Sequence, residues 1–366
     1  MTRWHIDDPQ NLSARAMRDP EGTKERYPST LEHRNPDILR MTLRGPGIIE
    51  VESRHGDDDL FVITGGIHGD EKAGIVILDR LVHNILNGSI PVRRNLLLMY
   101  GNLAAMAAND GRGVRCIEPE VGVTANLNRC FNRGLFNEAR CYAERRANNL
   151  MHAAHIASGC RVEAIDIHQS FAVPVLSTVR PTGDRTEYTY AMLYPHTNVD
   201  ETLKWIFEHY SDIVAGAVLN DMRVTHTTWA GYMAAEYHAH AATFEQGTIG
   251  HLDHVTFTPQ LYENLARAVG GNTLLAEPEG FDVWQCIKPI VRNSDEFSFL
   301  DENGAPVTNA PLDFVPLRCS IVARDGETLY ALEPGQRLLF ANAAVPLGDR
   351  AAQIIAPFET SVVPRP

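Results

Sequence analysis

Short apolar runs alternate with segments of helical periodicity along most of the chain. Residues 60–64 are apolar and end at Gly65-Gly66, which predicts a buried strand followed by a turn. Residues 71–87 carry apolar side chains at helical spacing and stop at Gly88, which predicts a helix. The alternation continues with strands over 96–100, 162–167 and 241–244, and helices over 136–158, 200–217 and 259–269. This pattern predicts an α/β sheet with helices on its faces.

The alternation fades after Gly270, and the pattern of the remaining chain is typical of an all-β structure. Short apolar runs fill residues 284–358 and are separated by turn signals. These signals are Asn303-Gly304, Asp325-Gly326 and Pro334-Gly335. We therefore predict three regions: a polar N-terminal extension over 1–40, a main α/β domain over 41–275, and a smaller C-terminal β domain over 276–366.

Charge and composition exclude several classes of function. The 366 residues include 33 Lys and Arg against 46 Asp and Glu, a net charge of −13. This balance excludes a nucleic-acid binder that neutralises phosphates, and it argues against an anionic membrane as partner. The sequence has no apolar run of about 18 residues and no apolar region typical of a secretory signal. The six cysteines form no C-x-x-C pair, so we expect reduced thiols in a cytoplasmic enzyme.

A histidine and a glutamate follow the first buried strand. His68 and Glu71 lie three residues apart in Gly-Gly-Ile-His-Gly-Asp-Glu, between the predicted strand and helix. Imidazole and carboxylate groups are zinc ligands, and open α/β sheets bind ligands at the carboxyl ends of their strands. The pair therefore predicts part of a metal site. The alternative is a surface histidine beside an acidic residue at a helix N-terminus.

A second motif, Asp-Ile-His, ends another apolar strand. His168 would complete a His-Glu-His set with His68 and Glu71, leaving one position for water. Asp166 lies two residues before His168 and shares its face in a regular strand, so it is a candidate to orient the imidazole. The alternative is that Asp166 merely ends the strand.

Three further groups are candidates for contact with a substrate. Asn128 and Arg129 offer amide donors and a planar guanidinium, which suit a substrate carboxylate. Glu245 ends an apolar strand, where poor hydration favours the raised pKa of a general base. Arg112 and Arg115 lie upstream, and either can polarise a scissile carbonyl. Taken singly, each of these residues is also compatible with an ordinary surface position.

Taken together, these motifs resemble the succinylglutamate desuccinylase/aspartoacylase family of zinc hydrolases. The resemblance covers roughly residues 60 to 350. The motifs, in the order of the family, are G-G-I-H-G-D-E at 65–71, x-L-N-R-x-F at 126–131, D-I-H at 166–168 and the strand glutamate Glu245. The resemblance implies a zinc-carboxypeptidase-like mixed sheet flanked by helices, with a smaller C-terminal all-β domain.

The resemblance also implies a role for each matching residue. Three metal ligands are implied for one zinc ion per subunit: His68, Glu71 and His168. Glu245 would act as general base and then as acid. Asn128 and Arg129 would bind the carboxylate side of an acylated amino acid, and Arg115 would polarise the amide carbonyl.

Two departures from the family pattern affect these assignments. Asn126 stands where the family usually has aspartate, so one negative charge near Arg129 is missing and the position of Arg129 is less firmly implied. The segment before Asn126 also looks longer than usual because of Glu-Pro-Glu at 118–120. This longer segment leaves the choice between Arg112 and Arg115 open.

The C-terminal segment bears on the substrate. Residues 339–350 place Val345 where aspartoacylases carry a substrate-contacting tyrosine. We therefore expect hydrolysis of N-succinyl-L-glutamate to succinate and L-glutamate, a step of arginine catabolism, by a cytoplasmic enzyme. We expect a small-molecule partner rather than nucleic acid or membrane, and a homo-oligomer stays open. The alternatives are another N-acyl amino acid such as N-acetylaspartate, a zinc carboxypeptidase acting on peptides, or a non-catalytic metal- or ligand-binding protein.

Overall fold

The expected alternation of strands and helices is present in the computed structural model of the chain. The structure describes residues 12–22, 30–56, 58–117, 126–132, 139–170, 190–195, 198–211, 213–214, 216–221, 227–248, 259–272, 281–307 and 321–360. The helices are α1 (Leu12–Arg18), α2 (Lys72–Leu86), α3 (Leu103–Ala107), α4 (Tyr142–Ala154), α5 (Val199–Tyr210), α6 (Trp229–Tyr237) and α7 (Pro259–Val269), with 3-10 turns at Leu127–Arg129 and His155–Ala157.

The strands form one large mixed sheet and one small antiparallel sheet. They are β1 (Ile38–Gly45), β2 (Ile48–Ser53), β3 (Asp59–Gly65), β4 (Asn95–Tyr100), β5 (Arg161–Ser170), β6 (Tyr190–Leu193), β7 (Gly216–Leu219), β8 (His240–Thr248), β9 (Asp282–Val291), β10 (Ser298–Phe299), β11 (Ile321–Asp325), β12 (Thr328–Ala331), β13 (Arg337–Leu339) and β14 (Arg350–Pro357). Among the described residues, eleven strands make the large sheet, in the order β1-β2-β4-β3-β5-β8-β6-β7-β9-β14-β13. The small sheet has the order β10-β11-β12.

The centre of the large sheet brings the motif-bearing strand ends to one edge. Strands β4, β3, β5 and β8 run parallel, so their carboxyl ends meet. In register, His168 of β5 lies opposite Glu245 of β8. On the other side of β8, the antiparallel strand β6 places Tyr190 opposite the same glutamate. Three neighbouring strands therefore carry His168, Glu245 and Tyr190 in one row.

Helices cover both faces of this sheet. One buried cluster contains Leu78 of α2, Ile206 of α5 and Leu265 of α7, and a second contains Leu150 of α4 and Met233 of α6. Burial on both faces explains why the central strands read as nearly continuous apolar runs rather than alternating ones. The mixed α/β class and the flanking helices expected from the sequence are confirmed.

The N-terminal boundary of α4 differs from the predicted one. The sequence predicts a helix over 136–158, but α4 begins at Tyr142, and residues 136–138 lie outside the described ones. The Glu144 carboxylate accepts a hydrogen bond from the Arg140 backbone N–H, 2.6 Å away. This bond accompanies an extended Cys141 (φ −137°, ψ 172°) at the N-cap, so the helix begins one residue later.

The prediction of a helix over 200–217 is wrong at its end. Helix α5 stops at Tyr210, and Gly216–Leu219 is strand β7, which pairs with β6 and β9. A run of four residues with three apolar side chains is too short to distinguish a helical from an extended period, and pairing with neighbouring strands decides the outcome.

The C-terminal segment is built from strands, as the turn signals predicted. Strands β9, β14 and β13 extend the large sheet, while β10, β11 and β12 form the separate antiparallel one. Because β9 pairs with β7, the large sheet continues into this segment. The division of the chain at residues 40 and 275 stays a prediction. Among the described helices, none has both the length and the apolar character that crossing a membrane requires.

Candidate metal and substrate site

The loop between β3 and α2 positions the first two candidate ligands. A Cβ on Gly65 would lie 2.6 Å from the carbonyl carbon of Gly74, so two facing glycines let α2 start directly against the end of β3. Gly66 adopts φ +73°, a left-handed conformation that favours glycine. This tight turn places His68 in the loop and Glu71 at the N-cap of α2.

The three candidate ligands converge on one point. The Nδ1 atom of His68 lies 2.7 Å from Oε1 of Glu71, and Nδ1 of His168 lies 2.8 Å from Oε2 of the same carboxylate. One ligand atom from each residue lies within 4.8 Å of the others, and all three side chains are buried. The structure therefore brings together His68, Glu71 and His168, which the sequence placed in one site.

Each imidazole is held through its outer nitrogen. Nε2 of His168 lies 2.8 Å from Oδ2 of the fully buried Asp166, and Nε2 of His68 lies 3.2 Å from Oδ1 of Asn126. Since both acceptors are oxygens, each Nε2 carries the donated hydrogen and each Nδ1 is left as the inward ligand atom. Two such nitrogens and one carboxylate are a donor set that fits zinc.

The charges of the site favour an ionised carboxylate at its centre. Burial alone would raise the pKa of Glu71, but the charges of His68 and His168 and their hydrogen bonds hold it well below its usual value. Burial lowers the pKa of His68 to about 4, although Glu71 opposes this shift. For His168, burial is outweighed by Asp166 and Glu71, whose charges raise its pKa well above the usual value. A negative ligand therefore faces the space that a cation would fill.

The structure favours Arg115 over Arg112 at the site. An Arg115 guanidinium nitrogen lies 2.9 Å from Oε1 of Glu71, and the Arg115 carbonyl accepts a hydrogen bond from the Gly69 backbone. Arg112 is exposed. The inserted residues 118–120 lie outside the described part of the chain.

The Asn-Arg pair lies in a 3-10 turn beside the histidines. Asn126 caps this turn, since its Oδ1 accepts a hydrogen bond from the Asn128 backbone N–H at 3.0 Å. The side-chain oxygen of Asn128 accepts from the Trp229 backbone N–H at the start of α6, at 2.9 Å. This contact fixes the orientation of the amide and directs Nδ2 away from Trp229. Arg129 is the exposed member of the turn.

Glu245 reaches the site through strand pairing. The parallel register of β5 and β8 places it opposite His168, and only 7% of the residue is exposed. The structure therefore places this predicted carboxylate, buried, next to a candidate metal ligand.

The sequence did not predict that two further residues, Asn126 and Arg350, lie at or beside the site. Asn126 was noted only as a departure from a family pattern, yet it contacts His68. Arg350 begins β14 and places its guanidinium carbon 5.5 Å from the centre of the Phe340 ring. The sequence feature that could have pointed to Arg350 is its place as a cationic residue directly before the apolar run that starts at Ala351.

Comparison with known proteins gives one consistent family. Residues 59–270 match the family model of the succinylglutamate desuccinylase/aspartoacylase catalytic domain. The succinylglutamate desuccinylase of Pseudoalteromonas atlantica is 26% identical over 334 residues, which cover 87% of each protein. That of Burkholderia pseudomallei is 29% identical over 335 residues, which cover 87% of this chain and 86% of the relative. The crystal structure of succinylglutamate desuccinylase from Vibrio cholerae has the same fold, with a TM-score of 0.72, 21% identity and 95% of each chain covered.

Proposed function

Because the chain belongs to the succinylglutamate desuccinylase/aspartoacylase family, we propose that it hydrolyses N-succinyl-L-glutamate to succinate and L-glutamate with the help of zinc. The family is one of enzymes that deacylate N-acyl amino acids. The observation that carries the zinc dependence is the buried convergence of His68, Glu71 and His168. The choice of the succinyl substrate is supported by the relatives, which are named succinylglutamate desuccinylases.

The metal would be held by Nδ1 of both histidines and by the Glu71 carboxylate. When bound, zinc would polarise the amide carbonyl and lower the pKa of a water molecule in the site. Cobalt and manganese also bind nitrogen and oxygen ligands, but two imidazoles and one carboxylate are the donor set typical of a catalytic zinc site.

The remaining steps fall to side chains of this protein. Glu245 accepts a proton from the attacking water and returns it to the leaving amine, so one carboxylate acts first as base and then as acid. Arg115, at the edge of the ligand set, donates hydrogen bonds to the carbonyl oxygen as negative charge develops on it. Nδ2 of Asn128 and the guanidinium of Arg129 bind the α-carboxylate of the amino acid.

We further place this reaction in arginine catabolism in the cytoplasm. The five cysteines among the described residues are free thiols, which is typical of that compartment. A net charge of −13 supports a small-molecule substrate rather than a nucleic acid or an anionic membrane as the partner.

The proposal is tested by replacing the proposed base. Glu245→Gln keeps the size of the side chain but cannot accept a proton. We expect one zinc ion per chain to remain, measured by elemental analysis, and kcat to fall at least about 100-fold. Glu208→Gln, on the exposed face of α5, is the matched control and should leave kcat unchanged. A Glu245→Gln protein that binds zinc and keeps most of its turnover would show that the assignment is wrong.

A further inference from the structure

A guanidinium that the mechanism does not use lies beside the site. Arg350 is partly buried, and its guanidinium carbon lies 5.5 Å from the centre of the Phe340 ring. Phe340 itself adopts φ +56°, which is rare for an aromatic residue. Such backbone strain persists where the surrounding structure requires it, and it clusters at ligand sites. Phe340 therefore forms a fixed platform under Arg350.

This platform connects to the catalytic row of the sheet. The Phe340 ring lies 6.3 Å from the ring of Tyr190, which is paired opposite Glu245. The charge of Arg350 also acts on the turn that binds the α-carboxylate. Partial desolvation and then the positive charge of Arg350 lower the pKa of Arg129 to about 10. The charge of Arg350 therefore acts on the turn that carries Arg129, and the charge of Glu245 acts on Arg350 in turn.

Among the residues that the structure describes, no carboxylate forms an ion pair with Arg350 within 4 Å, and burial lowers the pKa of Arg350 although the charge of Glu245 opposes this shift. Arg292, in the same C-terminal segment, shows what a structural arginine looks like. Its guanidinium donates to Asp295 at 3.0 Å and to the carbonyl of Val345 at 2.8 Å. A partly buried cation without such partners is costly unless a ligand supplies the anion.

We propose that Arg350 is a specificity residue that binds a second carboxylate of the substrate, distinct from the α-carboxylate held by Arg129. The inference rests on the proposed deacylase function. It assigns to the C-terminal β segment the selection of acyl amino acids that carry a further carboxylate. That carboxylate is either the free end of the acyl chain or the side chain of the amino acid. Arginine binds both in the same bidentate manner.

Three substrates separate these possibilities when wild-type and Arg350→Gln proteins are compared. N-succinyl-L-glutamate carries both carboxylates. N-butyryl-L-glutamate replaces the acyl carboxylate with a methyl group, and N-succinyl-L-norvaline does the same for the side-chain carboxylate. We expect the variant to lose about 30- to 100-fold in kcat/KM on N-succinyl-L-glutamate, as removal of a charged hydrogen-bond partner predicts.

The pattern across substrates decides the inference. If Arg350→Gln loses less than about threefold in kcat/KM on N-butyryl-L-glutamate, the missing acyl carboxylate is the partner of Arg350. If the small loss is instead on N-succinyl-L-norvaline, the side-chain carboxylate is the partner. Either result supports a carboxylate-binding role. An equal loss on all three substrates, or no loss, overturns the inference while leaving the proposed function intact. A wild-type protein that binds zinc and cleaves none of the three overturns the proposed function and this inference with it.

Two controls exclude general damage to the fold. Arg350→Lys keeps the charge, so it should recover part of the activity on substrates with the recognised carboxylate. Arg337→Gln removes a guanidinium from β13, the strand beside β14, that lies 5.9 Å from the Trp284 ring of β9, and it should not change the substrate preference. Thermal unfolding and zinc content of all variants should match those of the wild type.

Discussion

At the residue scale, the two histidines of the ligand set have unequal partners. His168 donates to the carboxylate of Asp166, whereas His68 donates to the neutral amide of Asn126. The same amide oxygen accepts from the backbone of Asn128. A single side chain therefore links a proposed metal ligand to the turn proposed to bind the substrate, and it does so without adding a further negative charge to the buried carboxylates of the site.

Removing this link should weaken the metal site. Asn126→Ala deletes the acceptor of His68, and we expect the zinc dissociation constant to rise about 10- to 100-fold, as for other residues that orient metal-bound histidines. Asn126→Asp keeps an acceptor in the same place and should bind zinc at least as tightly as the wild type. Competition with a chelating dye at fixed pH measures both constants. An unchanged constant in Asn126→Ala would contradict this role.

Prediction from sequence is strong for some of these residues and weak for others. His68, Glu71, His168 and Glu245 follow apolar strands, so strand pairing brings them to one edge of the sheet whatever else the chain does. The contact of Asn126 with His68 spans 58 residues, and no local pattern signals it. Arg350 reaches the site through packing of the C-terminal strands, which the sequence does not encode locally.

At the scale of elements, the close packing of β3 and α2 depends on the absence of side chains. A Cβ on Gly74 would lie 2.8 Å from the Gly65 Cα and 2.8 Å from the carbonyl oxygen of Ile167, both of them backbone atoms. Moving α2 to relieve this contact would shift Glu71, because that residue is the N-cap of the helix.

Gly74→Ala should therefore destabilise the protein despite the higher helix propensity of alanine. We expect the free energy of unfolding to fall by about 2 kcal/mol, because overpacking outweighs a propensity gain of about 1 kcal/mol. At Gly45 the added methyl group would meet only Ile48 at 3.9 Å, so Gly45→Ala is the control with a change below about 0.5 kcal/mol. Denaturant titration gives both values, and equal stabilities of the two variants would refute the packing argument.

A second pair of elements is joined by an ion pair across β3. Arg94, just before β4, lies 2.9 Å from the Glu163 carboxylate of β5 and 4.9 Å from the centre of the Phe61 ring between them. Burial would raise the pKa of Glu163. The charge of Arg94 and the hydrogen bond that Arg94 donates outweigh this effect and hold the pKa below its usual value of 4.5. A lowered pKa in the folded state means that the pair stabilises the protein above pH 4.5, and that this contribution is lost as pH falls.

Glu163→Gln should reveal this dependence. At pH 7 we expect the free energy of unfolding to fall by about 2 kcal/mol, less than for a fully buried pair because both side chains keep some exposure. The difference from the wild type should shrink below pH 4.5, where the unfolded wild type also protonates the glutamate. Glu52→Gln, in the exposed cross-strand pair with Arg40, should change stability by less than about 0.5 kcal/mol at either pH. A pH-independent difference for Glu163→Gln would rule out the electrostatic explanation.

The elements themselves were largely predictable, with errors at their ends. Strands β3, β4 and β5 and helices α2 and α7 lie where the apolar runs placed them. The start of α4 depends on a carboxylate that reaches back to Arg140, and the strand nature of β7 depends on its neighbours in the sheet. Both are tertiary or medium-range effects that periodicity does not contain.

At the scale of the whole molecule, the sheet order determines which residues meet. Strand β8 lies between β5 and β6, although β6 and β7 precede it in the chain. That order puts Glu245 between His168 and Tyr190 and leaves β9 and β14 to extend the sheet toward Arg350. The α/β class and the β-rich C-terminus were predictable from pattern, whereas this strand order is a property of long-range pairing.

The proposed activity of the chain is zinc-dependent deacylation with a preference for N-succinyl-L-glutamate. The most direct test measures amine release by the zinc-loaded protein on N-succinyl-L-glutamate, N-acetyl-L-aspartate and N-acetyl-L-glutamate side by side, before and after removal of zinc by a chelator. We predict a kcat/KM at least about 100-fold higher for the succinyl substrate, or about 2.7 kcal/mol of transition-state discrimination, with activity lost on chelation and restored by zinc. A higher value for either acetyl substrate would contradict the succinyl preference, and full activity without metal would contradict the zinc dependence.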